Sequence, residues 1–131
     1  MLKNLPVPTP LTAPYWEGCR AGELRIQYCQ VCERHQFYPR SVCAECLGSV
    51  DWVAASGKGE VVSYTVVRLA VSEAYAEEVP YVVALIRLAE GPQLMSQVDC
   101  EIEQIAIGRS VEVYFDVWSE EVTIPKFRLL S

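Results

Sequence analysis

Two short cysteine pairs constrain this chain more than any other feature. Cys29-Gln30-Val31-Cys32 and Cys43-Ala44-Glu45-Cys46 are each C-x-x-C, and ten residues separate them. A two-residue spacer lets both sulfurs of a pair face one point from a tight turn. Two such turns, brought together by a hairpin, put four sulfurs at the corners of a tetrahedron with metal–sulfur distances near ~2.3 Å. Phe37-Tyr38-Pro39, between the pairs, is expected to form the returning arm of that hairpin. A site closed by four thiolates has no open position for water or substrate. Its metal therefore holds together a segment too small to fold by burial alone.

One Zn2+ ion on Cys29, Cys32, Cys43 and Cys46 is the expected occupant. Ferric iron in an electron carrier is the other use of this geometry, but it suits a short free-standing protein, and here the motif is a minor part of 131 residues. His35, the one histidine, could replace a thiolate; its place in the hairpin makes it a solvent-facing residue in this reading. Cys19 and Cys100 stand alone, without a histidine partner in any recognisable motif, and are expected as small buried or semi-buried residues. Met1-Leu2-Lys3-Asn4-Leu5-Pro6 lack the apolar core of a signal peptide. The longest strongly apolar run, Tyr81 to Leu88, is too short to cross a bilayer and contains Arg87. A soluble, cytosolic protein is expected, so a disulfide framework is not.

Outside the metal loop the sequence reads in two regimes. Residues 1–22 give a proline-rich arm and a helix, with Thr12 as cap, Pro14 in the first turn and Gly22 as stop. Tyr15, Trp16 and Cys19 share one face of that helix at helical spacing. Residues 23–56 hold the metal loop, entered by a strand from Glu23 to Tyr28 whose apolar residues are Leu24, Ile26 and Tyr28, and left by a strand from Val50 to Val53. Gly57-Lys58-Gly59 is a turn, and no further phosphate-loop element accompanies it.

Residues 57–131 read as almost all β. Strands are expected at Glu60–Arg68, Tyr81–Leu88, Gln93–Asp99, Val111–Trp118 and Thr123–Leu130, with Pro125 suggesting an edge position. Residues 69–79 are a loop or a short helix with Ser72 as its cap. Five short strands with one longer connection suit a Greek-key barrel of the OB type, and on pattern alone a small sandwich fits nearly as well.

Charge narrows the function. Net charge is −6, and four thiolates around one zinc ion make it about −8. Residues 1–60 balance six basic against six acidic side chains, whereas residues 61–131 hold five basic and eleven acidic. A phosphate backbone is a poor partner for that second half. Zinc ribbons and OB-folds both serve single-stranded nucleic acid, so that remains the alternative function, and it needs a basic groove with stacking aromatics. Glu77-Glu78 and Glu120-Glu121 read as solvated loop charges. Among the tryptophans, Trp52 suits core packing, Trp118 is a possible interface anchor, and Trp16 beside Arg20 is the best candidate for partner binding.

The run Gly22-Glu23-Leu24, Cys29-x-x-Cys32, Tyr38-Pro39-Arg40 and Cys43-x-x-Cys46 resembles the rubredoxin-like zinc ribbon of the OB-fold proteins of domain-of-unknown-function family 35. Pro80-Tyr81-Val82-Val83-Ala84, Glu90-Gly91-Pro92 and Ile107-Gly108-Arg109-Ser110-Val111 resemble the OB half of that family, and the match runs from about Thr12 onward. Glu33 stands where a glycine commonly follows the first cysteine pair, and Ala44 where a proline is frequent. The resemblance implies a mostly β chain: an N-terminal helix and rubredoxin-like zinc ribbon, then a five-stranded OB-fold barrel. It also implies a non-catalytic accessory subunit of a thiolase-superfamily enzyme, thiolase or aldolase, acting on acyl-CoA thioesters in β-oxidation-like degradation of sterols or aromatics. An acyl-CoA hydratase is a further implied partner, with a CoA thioester at the shared interface. The expected docking residues are Tyr15, Trp16, Arg20, Tyr38 and Arg40, with neither nucleic acid nor membrane as a partner.

Overall fold

A computed structural model describes residues 9–69, 79–118 and 122–130. The proline-rich start of the arm, Ser72 with Glu77-Glu78, and Glu120-Glu121 lie outside the described residues. The first element is helix α1, Ala13–Ala21, with Pro14 in its first turn. Gly22 ends it at φ +80°, a conformation that costs a residue without Cβ nothing, and its N–H returns to the carbonyls of Cys19 and Gly18. Thr12 occupies the capping position without capping. Its hydroxyl bonds instead to Thr9, at 2.9 Å from the backbone N–H and 3.0 Å from the hydroxyl. Gly18 lets the helix approach the next strand: a Cβ there would lie 2.7 Å from the Arg25 side chain and 2.9 Å from the Glu23 carbonyl oxygen.

The metal loop is built on a three-stranded antiparallel sheet in the order β2-β1-β3. Strand β1 is Arg25–Cys29, β2 is Arg34–Gln36 and β3 is Asp51–Ala54. The returning arm is thus β2, just before Phe37-Tyr38-Pro39. Those three residues leave the sheet instead of forming its hairpin. The expected alternation in β1 also breaks, because Gln27 is buried and Tyr28 is only half-buried. Leu24 and Ile26 behave as expected, and they do more than close the ribbon: both belong to the same buried cluster as the second sheet.

That second sheet is a closed barrel in the order β4-β5-β6-β8-β7, with β7 returning to β4. Its strands are β4 Lys58–Val67, β5 Tyr81–Leu88, β6 Gln93–Asp99, β7 Ser110–Val117 and β8 Thr123–Leu129. Closure decides for the OB barrel over the sandwich. Every neighbouring pair is antiparallel except β6 with β8, which is parallel at Val98 opposite Phe127 and Asp99 opposite Arg128. Only these two positions of β8 pair with β6. Pro125, opposite Phe115 of β7, lies beyond that short contact, so an edge-like position exists locally inside a closed barrel.

The core gathers Val61, Val82, Ile86, Leu94, Val98, Val111 and Phe127. Val117 is 70% exposed at the end of β7. Among the described residues no helix is long and apolar enough to cross a membrane. Phe127 is 0% exposed, and Phe127→Ala should lower stability by about 3–5 kcal/mol in denaturant titration followed by tryptophan fluorescence. Ile107, 70% exposed, should tolerate Ile107→Ala to within about 0.5 kcal/mol.

Candidate metal centre

Cys29 closes β1, and the turn after it carries Cys32 back toward β2. Cys43 and Cys46 sit on a second turn that leads to β3. Each pair is followed by a residue in the left-handed region, Glu33 at φ 54° and Leu47 at φ 63°. This explains why a glycine suits the position after the first pair: a side chain there costs on the order of 1 kcal/mol. The turns aim backbone donors at the sulfurs. Cys32 N–H donates to Cys29 Sγ, Glu45 N–H to Cys43 Sγ and Gly48 N–H to Cys46 Sγ, each at 3.4 Å.

The four sulfurs all lie within 4.8 Å of one another. Cys29 Sγ is 3.6 Å from Cys46 Sγ, and Cys43 Sγ is 3.9 Å from Cys32 Sγ. A tetrahedron with ~2.3 Å metal–sulfur bonds has an edge of about 3.8 Å, so the donor set fits a four-coordinate Zn2+ ion without rearrangement. As thiols Cys43 and Cys32 are unevenly poised. Backbone N–H groups of Cys46 and Glu45 hold Cys43 down to about 7. The neighbouring Cys46 sulfur, then burial, pushes Cys32 up to about 12. A dication resolves that conflict by favouring the thiolate at every corner. His35 is not one of the four. It lies half-buried across from Tyr28, ring centroids 4.8 Å apart.

A cavity of about 390 Å³ opens between α1, residues 37–39 and the strands β6 and β8. It lies where β6 and β8 part. Tyr15, Trp16 and Tyr38 line it, as do Phe37, Trp118 and Lys126. The aromatic wall is continuous: Tyr15 meets Trp16 edge-on at 4.9 Å and Phe37 at 5.6 Å, and Phe37 meets Tyr38 at 4.6 Å. Tyr38 ties the ribbon to the barrel, its hydroxyl accepting from the Met95 N–H at 3.3 Å. Lys126, only 7% exposed, pairs with Asp116 at 2.9 Å and lies 5.8 Å from the centre of the Trp118 ring.

The structure therefore brings three of the five expected docking residues to one place. Arg20, in the last turn of α1, and Arg40, in the loop before Cys43, are exposed and do not line the cavity. Cys19 is buried beneath the helix, and burial pushes its thiol up to about 11. Burial also raises the Cys100 thiol and, together with the nearby Cys19, lifts the Tyr15 phenol well above its ordinary range. The sequence reading missed Gln27, Gln36 and Lys126. An isolated polar residue in an alternating strand carries no local sign that it is buried.

Residues 16–52 match the rubredoxin-like zinc ribbon domain of ChsH2, and residues 52–116 match the C-terminal OB-fold domain of ChsH2. A DUF35 domain-containing scaffold protein of Methanothermobacter thermautotrophicus is 38% identical over 96 residues, which are 71% of each chain. The chain belongs to the DUF35 family. Among solved structures, the DUF35 chain of the Ltp2-ChsH2(DUF35) aldolase superposes with a TM-score of 0.84 at 32% identity, covering 95% of this chain and 98% of that one. A probable enoyl-CoA hydratase alpha subunit of Thermomonospora curvata is 37% identical over 117 residues, 87% of this chain. The chain spans only 36% of that relative's length. The DUF35 ribbon is thus a zinc ribbon here as well, with four cysteines set for the ion. Cys43→Ser should drop bound zinc well below one equivalent, read by elemental analysis, and lower the melting midpoint by about 10 °C. Cys100→Ser should leave the zinc content unchanged.

Proposed function

We propose that this chain is a non-catalytic accessory subunit of a thiolase-superfamily enzyme, thiolase or aldolase, acting on acyl-CoA thioesters in a degradative, β-oxidation-like pathway. The observation that carries the reading is the superposition, over nearly its whole length, on the DUF35 chain of an aldolase. The name of the Thermomonospora curvata relative supports a CoA thioester as the substrate class and an acyl-CoA hydratase as a further partner.

The site chemistry is consistent with a supporting role. Four thiolates around one ion leave no coordination position for a reacting group. The division of labour follows the chain: the N-terminal helix and the ribbon, 23–56, supply docking surface, and the barrel, 57–131, helps to cover the thioester. Tyr15, Trp16 and Tyr38 act as the aromatic anchors of the docking face, with Arg20 and Arg40 at its rim. A cytoplasmic setting belongs to the same proposal, because free thiolate ligands persist in a reducing compartment. The acidity of residues 61–131 disfavours the nucleic-acid reading.

Affinity-tagged chain in native extract should retain a thiolase-fold or hydratase subunit in stoichiometric amount. Trp16→Ala or Tyr38→Ala should weaken that complex about tenfold or more, read by titration calorimetry with the isolated partner. A partner that is fully active alone and forms no complex with the chain would contradict the proposal.

A further inference from the structure

The second cysteine turn is gripped by the fold as well as by its sulfurs. Gln27 and Gln36 stand opposite each other in the β1–β2 register. Gln27 is 1% exposed, and both its amide oxygen and its amide nitrogen are bonded. Its Oε1 accepts from Gln36 Nε2 at 2.7 Å and from the Arg40 N–H at 2.9 Å, and its Nε2 donates to the Arg40 carbonyl at 2.7 Å. Gln36 extends the hold. Its Nε2 also donates to the Val42 carbonyl at 3.2 Å, and its Oε1 accepts from the Ala44 N–H at 3.0 Å.

Val42 and Ala44 are the residues on either side of Cys43. Two side-chain amides therefore fix the backbone at 40, 42 and 44, on the approach to the second pair, through bonds that bypass the metal. Their orientations are mutually determined. Turning over either amide would set donor against donor at Arg40 or Ala44 and acceptor against acceptor at Arg40 or Val42. The hold also reaches the cavity, since Arg40 directly follows Tyr38 and Pro39 of its wall.

We infer that Gln27 and Gln36 are positioning residues of the metal centre. They order the second cysteine turn before the ion arrives and keep Cys43 in place while it is bound. Preorganisation of this kind tightens binding because less chain freedom is lost when the ligand binds. Outer-shell partners of metal ligands commonly change metal affinity by about ten- to hundred-fold. This role goes beyond partner docking and stands whether or not the chain is an enzyme subunit.

The full-length, zinc-loaded chain tests it. Gln36→Leu removes donor and acceptor at similar volume, and should release zinc to a chromogenic chelator about ten- to hundred-fold faster than the unsubstituted chain. Its cobalt-loaded form should keep the spectrum of a tetrahedral four-sulfur site, and its metal-free form should melt at the midpoint of the metal-free unsubstituted chain. Release at the original rate overturns the inference. So does faster release that comes with a lowered midpoint of the metal-free form, since that is what a purely structural role gives. If Gln36→Leu does not fold, Gln36→Glu is measured in its place. It keeps an acceptor for Ala44 and loses the donor to Val42 and Gln27, and it should also release zinc faster. Original-rate release from Gln36→Glu, or failure of both variants to fold, overturns the inference.

Discussion

Four sulfur atoms within 4.8 Å of one another make an arrangement that neither thiols nor thiolates favour alone. Packed thiols leave weak donors facing weak acceptors, and packed thiolates repel. A single dication removes both objections, and the short segment between Cys29 and Cys46 has little apolar burial to hold it, since β2 is three residues long and polar throughout. The rest of the architecture inherits this constraint. The centre fixes the course of the loop from β2 to β3, and that loop carries Phe37, Tyr38 and Pro39 to the mouth of the barrel.

Ribbon and barrel are not independent beads. Leu24 and Ile26 enter the buried cluster that also holds Val61 and Phe127. The Tyr38 hydroxyl reaches the backbone of β6, and α1 packs against β1, β7 and β8. The cavity lies where these three parts meet and where β6 and β8 diverge, so its aromatic wall is drawn from segments far apart in sequence. A surface assembled this way depends on the metal loop's shape even though none of its residues is a metal ligand. That is a physical reason for the proposed accessory subunit to carry a structural zinc ion.

Local signals were the legible ones. The two cysteine pairs declare themselves through spacing alone. Tyr81–Leu88 and Gln93–Asp99 emerge at the expected residues because Glu90-Gly91-Pro92 separates two clear strand patterns. Long-range facts were hidden. Closure into a barrel rests on β4 meeting β7 and on two parallel positions between β6 and β8, neither of which leaves a mark on periodicity. Strand β2 has no apolar residue to announce it. Gln27 looks like the solvent side of its strand because its partners, Gln36 and Arg40, lie across the hairpin. Thr12 has the right identity for a cap, but Thr9 offers its hydroxyl nearer partners.

The account rests on one closed, four-sulfur zinc centre, and X-ray absorption at the zinc edge of the natively purified chain addresses it directly. The account predicts a single shell of four sulfur scatterers at about 2.3 Å. A nitrogen or oxygen scatterer in that shell would mean an open or substituted site, and a folded chain that carries iron or no metal would contradict the account outright.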